Sequence, residues 1–138
     1  MSRIYHIAVK VDDLERAKAF YKDVFGFTEV HQHRVRDHVS CHLTDGVLDF
    51  ALIKYDSEDV PEADWSGPGP CIHHFGVQVD EMESAKRRLA AQGCQILSQP
   101  DVLPVKFRTP EGVVAEISPP GHFDKLKRAG TKRARRPK

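Results

Sequence analysis

Residues 71–80 read CIHHFGVQVD, and residues 3–12 read RIYHIAVKVD. Both alternate apolar and polar positions with period two, the mark of a half-buried strand. Each carries a histidine at its fourth position, His6 and His74, and these lie 68 residues apart. Whether this match is accidental depends on the segments downstream of each stretch.

After the first stretch, DDLERAKAFYKDVFGF offers Asp12 or Asp13 as a helix N-cap. Leu14, Ala17, Phe20, Tyr21 and Val24 recur at helical spacing, and Gly26 supplies the stop. Strand patterns come next around 28–34, 39–44 and 47–55, with Asp45-Gly46 as a hairpin turn between the last two. The second stretch leads into DEMESAKRRLAAQG, a helix with Met82, Ala85, Leu89 and Ala90 on one side and Gly93 at its end. CQILSQ, VLPVKFRT and VVAEIS then read as strands. Each half is strand, helix, strand, strand, strand, which an internal duplication explains. The reading is an α+β domain over 1–121, built from a module over 3–55, an acidic Pro/Gly-rich linker over 56–70 and a module over 71–118.

Composition fits one globular domain: 138 residues, 40% hydrophobic and 30% charged. No apolar run approaches the roughly 18 residues that span a bilayer, and the first residues lack the layout of a signal peptide, so a cytoplasmic protein without membrane partners is expected. Cys41, Cys71 and Cys94 show no CxxC spacing and are read as reduced thiols. Residues 122–138 hold eight Lys or Arg against one Asp and come after Pro119-Pro120-Gly121. They read as a basic, disordered tail outside the fold. No aromatic residue beyond Phe123 is present to stack on bases, so nucleic acid is not an expected partner.

Alternate side chains of a strand point to opposite faces. Ile7, Val9 and Val11 then face the next helix, as do Phe75, Val77 and Val79, leaving His6 and His74 on the uncovered face. Glu116 sits mid-strand among apolar residues, where an unpartnered carboxylate costs several kcal/mol. Two imidazoles and a carboxylate form the facial set that holds Fe(II) and related ions with positions left open. His6, His74 and Glu116 are therefore candidate metal ligands. His73 is read as a structural neighbour on the helix side or at the module junction.

HIAVKVDDLERAKAFYKDVFGF and FRTPEGVVAEIS resemble the vicinal oxygen chelate superfamily, which includes glyoxalase I, bleomycin-resistance proteins and extradiol dioxygenases. The resemblance covers residues 3–118 and implies paired βαβββ modules in a cupped, partly open mixed sheet, a divalent metal (Fe, Zn, Ni, Co or Mn), a small-molecule substrate and a homodimer. It places His6, His74 and Glu116 at three of the family's ligand positions. Aligning Gly46-Val47-Leu48 with Gly112-Val113-Val114 sets Phe50 opposite Glu116, where glyoxalase I has a fourth ligand, and turns Asp49 to the other face unless a bulge intervenes. Phe50 and Leu48, with Leu52, would line the cup as a substrate wall. Arg108, like Lys106, would reach the cleft to hold an anionic group. His31, His33, His38 and His42 are either acid/base groups in the cup or exposed edge residues, and Trp65 anchors the linker or closes over the site. Three functions are open: a metal-dependent lyase or isomerase, a ring-cleaving dioxygenase, or a metal-free binder of the bleomycin-resistance type.

Overall fold

A computed structural model describes residues 1–124. The first module runs β1 (Arg3–Lys10), α1 (Leu14–Phe25), β2 (Thr28–Val35), β3 (His38–Thr44) and β4 (Asp49–Tyr55). A short helix in the linker, α2 (Pro61–Asp64), leads to β5 (Cys71–Gln78), α3 (Met82–Ala91), β6 (Val105–Arg108) and β7 (Val114–Ser118). The strands make one mixed, seven-stranded sheet in the order β2-β3-β4-β1-β5-β7-β6. The modules meet edge to edge through the antiparallel β1·β5 pair, so both contribute to one cup within a single chain. Each module also has a parallel pair, β1·β4 and β5·β7.

The caps are those the sequence announces. Asp13 accepts from Arg16 N at 3.0 Å to start α1, and Gly26 ends it in the left-handed region at φ 73°. The outer face carries two apolar clusters. Leu14, Ala17 and Tyr21 of α1 pack on Cys41, Leu43 and Leu52, while Met82, Ala85 and Leu89 of α3 pack on Phe107, Ala115 and Ile117. A third cluster lies inside the cup, where Ala8, Ala51, Ile53 and Tyr55 bury Ala63 of α2.

Two details differ from the sequence reading. CQILSQ forms no full strand: it lies along β6 through the isolated bridge of Ile96 to Phe107, with Leu97 N donating to Lys106 O at 2.8 Å and Arg108 N to Gln95 O at 2.9 Å. The body also extends past Gly121: Phe123 is buried with its ring 6.3 Å from Tyr5, and His122 reaches the cup. The rest of the expected basic tail lies outside the described residues. Among the described residues, no helix is long and apolar enough to cross a membrane.

Candidate metal centre

Two bulges create the site. On β1 the register passes from Ile4↔Val77 to His6↔Gly76, leaving Tyr5 as an extra residue; on β5 it passes from His74↔Ala8 to Ile72↔Val9, leaving His73 extra. A bulge puts neighbouring side chains on one face. Tyr5 thus joins His6 inside the cup, and His73 joins His74.

His6, His74 and Glu116 converge there, all buried. His6 Nε2 lies 3.2 Å from His74 Nε2 and 3.4 Å from Glu116 Oε1, and His74 Nε2 lies 3.5 Å from Glu116 Oε2. With metal–nitrogen bonds of about 2.0–2.1 Å, donors stand about 3.0 Å apart at right angles and about 3.4 Å apart at tetrahedral ones. The donor set therefore fits one divalent ion.

Charge and hydrogen bonding act in the same sense. Burial opposes ionisation of Glu116, but the His6 and His74 charges outweigh it and hold its carboxyl well below the usual range. Burial likewise opposes the His6 imidazolium, yet Glu116 and the hydrogen bond His6 donates to Asp49 raise its pKa; burial lowers that of His74. These surroundings favour the protonated form of His6 among the converging acceptors. Tyr5 holds the carboxylate: its hydroxyl, pushed up by burial and by Glu116, donates to Glu116 Oε1 at 3.0 Å and lies 2.7 Å from Ser118 Oγ. Gly76 leaves the room this needs, since a Cβ there would stand 2.8 Å from Tyr5 Cε1 and 3.0 Å from Glu116 Oε1.

Asp49 corrects the sequence alignment. The β1·β4 register sets His6 against Asp49 and Ala8 against Ala51. In the second half Gly76, the counterpart of Ala8, stands against Glu116, so the residue matching Glu116 is Ala51, not Phe50. The turns before the two strands differ by one residue, and a one-residue slip flips every side chain. Asp49 therefore faces the cup, where its Oδ2 accepts from His6 Nδ1 at 2.7 Å and its Oδ1 from His42 Nδ1 at 2.8 Å. Burial opposes its charge, but these bonds keep its carboxyl well below the ordinary range.

The expected substrate wall moves with the register. Phe50 packs on the outer face against Tyr21 (4.8 Å between rings) and Phe27 (5.6 Å). Leu48 belongs to the β3–β4 turn, its carbonyl accepting from Thr44 Oγ1. Neither lines the cavity. Arg108 is likewise taken, donating to Gly112 O at 2.9 Å and Trp65 O at 3.2 Å, so it anchors the linker at Trp65. Lys106 reaches the site instead, 3.7 Å from Glu116 and 3.7 Å from Glu62.

A cavity of about 360 Å³ opens over the triad, lined among others by His33, Arg36, His38, His42 and Lys106. His31 stacks on His33 at 4.5 Å between ring centroids. A second group, Asp37, His38 and Glu62, has ligand-like spacing but is less buried than the first. Sequence reasoning missed Tyr5 and turned Asp49 to the opposite face, and where it set His73 on the helix side or at the module junction, the bulge brings that ring beside His74. The offset of 68 that pairs His6 with His74 also pairs Tyr5 with His73, a signal usable only once the bulges are known.

Among solved structures, the fold is similar to a hypothetical protein from Bacillus halodurans (TM-score 0.74, 19% identity, 86% of this chain and 94% of that one). It is also similar to methylmalonyl-CoA epimerase from Mycobacterium tuberculosis (0.69, 22%, 85% and 87%) and to a 4-hydroxymandelate synthase mutant from Streptomyces coelicolor (0.73, 20%, 84% and 36%). No curated protein sequence matches the chain. The family model for the Glyoxalase/Bleomycin resistance protein/Dioxygenase superfamily matches residues 3–117, nearly the whole described body. With the duplicated modules and the cupped mixed sheet, this match shows that the chain belongs to that superfamily.

Proposed function

We propose that the chain is a divalent-metal-dependent lyase or isomerase whose ion is held by His6, His74 and Glu116 and whose proton carrier is His42. The observation that carries the reading is the approach of two buried imidazole nitrogens to each other at 3.2 Å, and of each to one oxygen of a buried carboxylate at 3.4 and 3.5 Å. Converging acceptors repel unless a cation or a proton lies between them. A metal there supplies Lewis acidity towards substrate oxygens and leaves coordination positions open.

The remaining chemistry belongs to the side chains. His42 donates from Nδ1 to Asp49, so its lone pair is on Nε2, which accepts from Ser40 Oγ at 3.2 Å. A base oriented by a buried carboxylate and lining the substrate cavity is the arrangement proton transfer needs. Tyr5 is spent on Glu116 and Ser118 and is not a competing base. Lys106 and Arg36 bring positive charge to the cavity, which favours an anionic oxygen-bearing substrate such as a small carboxylic acid. The donor set itself supports a second reading, a ring-cleaving dioxygenase, because two histidines and one carboxylate also suit Fe(II) oxygen chemistry. We also propose a homodimer, on superfamily membership alone, which sedimentation velocity measures.

Elemental analysis of protein purified without chelators, followed by NMR of carbon-bound hydrogen exchange in D2O with small 2-oxo and 2-hydroxy acids, tests the function. Zinc, nickel, cobalt or manganese, with exchange that His42→Phe abolishes at unchanged metal content, supports the lyase or isomerase. Iron with substrate-dependent oxygen uptake favours the dioxygenase. A protein that takes up no metal overturns both and leaves the metal-free binder.

A further inference from the structure

His73 makes two short contacts. Its Nε2 stands 2.7 Å from the carbonyl oxygen of Glu62 in α2, and its Nδ1 stands 2.7 Å from His74 Nδ1. A carbonyl oxygen only accepts, so the His73 proton is on Nε2. An imidazole that carries its proton on Nε2 has its lone pair on Nδ1, which is therefore an acceptor. The proton between the two rings must then belong to His74 Nδ1. That leaves the His74 lone pair on Nε2, the atom that faces His6 and Glu116.

The first half does the same job differently. His6 is oriented by Asp49, a residue of the sheet. His74 is oriented, through His73, by the backbone of the linker. The linker is held down by Lys10, a buried lysine whose Nζ donates to Ala63 O at 2.9 Å and Gly67 O at 2.6 Å.

We propose that His73 is a positioning residue that couples the linker to the metal site: the Glu62 carbonyl, acting through His73, selects the metal-binding tautomer of His74, so displacing the linker weakens metal retention. The proposal rests on the metal reading above for its consequence, but not for the tautomer it assigns. Metal-ligating histidines ordinarily pass their second N–H to a carboxylate, a carbonyl or water, and loss of such a partner costs about 10–100-fold in affinity. Here the partner is another imidazole whose own state is set by the linker backbone.

Two measurements test it. In metal-free protein, 15N NMR should show His74 protonated at Nδ1 in the wild type and moved towards Nε2 in His73→Leu. Zn(II) affinity, read by chelator competition, should fall about 10–100-fold in His73→Leu and largely recover in His73→Asn, whose amide oxygen takes the place of the ring Nδ1. His73→Asn cannot reach Glu62, so the linker is uncoupled in it. Lys10→Met should therefore lower affinity at least about twofold in the wild-type background and leave it unchanged in the His73→Asn background. Nε2 protonation of His74 in the wild type, undiminished affinity in His73→Leu, or equal effects of Lys10→Met in both backgrounds overturns the coupling. Should the wild type bind no zinc, the metal reading fails, and the tautomer result alone decides the link between Glu62, His73 and His74.

Discussion

In the first half of the chain a bulge at Tyr5 brings Tyr5 and His6 into the cup, and in the second a bulge at His73 does the same for His73 and His74. The halves part at their last strands. β7 sends Glu116 to the two imidazoles, whereas the matching place in β4 is Ala51, and the acid of that half, Asp49, stands one pleat away and bonds His6 and His42. On the proposed reading, the first half gives one ligand with its orienting carboxylate, and the second gives two ligands with an orienting histidine. Duplication supplies a symmetric frame, and a few side chains make the site within it asymmetric.

The comparison is broken most forcefully at Glu116. Glu116→Ala should reduce Zn(II) affinity beyond the roughly 100-fold that marks outer contacts. Adding Ala51→Glu should restore part of it, moving the carboxylate to the equivalent strand of the other half; competition titration of the single and double variants reads both. Next, Asp49→Ala should lower affinity about 10–100-fold by releasing His6 Nδ1, and it should also depress any His42-dependent turnover. Such a loss without a change in turnover would separate the two histidines that Asp49 holds.

Smaller effects test the packing. Gly76→Ala drives a Cβ against Tyr5 and Glu116 and should cost about 1–3 kcal/mol in urea unfolding. Ala8→Gly, at the counterpart position, should cost only about 0.5–1 kcal/mol. The smallest effect is on pH dependence. The folded pKa of His6 lies above its unfolded value of about 6.5, so the stability it contributes is present below that value and is lost as pH rises through the folded pKa. Metal-free protein should lose Tm as pH rises above about 6.5, and the Tm gain on adding Zn(II) should grow over the same rise. A constant gain would contradict a protonated His6 in the metal-free protein.

The fold was legible because its signals are local and repeated: alternating strands, Asp13 and Gly26 bounding α1, and the same order of elements in both halves. His6, His74 and Glu116 could be picked out because each is a polar residue at a place the pattern marks as inward. Asp49 could not, because its face depends on a turn one residue different in length from its counterpart, and period two turns that single residue into the opposite face. Phe50 was misplaced for the same reason. Tyr5 and His73 were hidden by bulges, which leave the sequence pattern intact on either side. Arg108 and Lys106 alternate on one short strand with similar chemistry, and only the position of Trp65 decides which of them the linker claims.

The central claim is that three strands, β1 of the first half and β5 and β7 of the second, converge on one ion. Equilibrium dialysis of the wild-type chain and of His74→Leu against Zn(II), followed by elemental analysis, tests it directly. One zinc per wild-type chain and its loss from the variant is the predicted result. Equal zinc in both proteins, or none in the wild type, would contradict it.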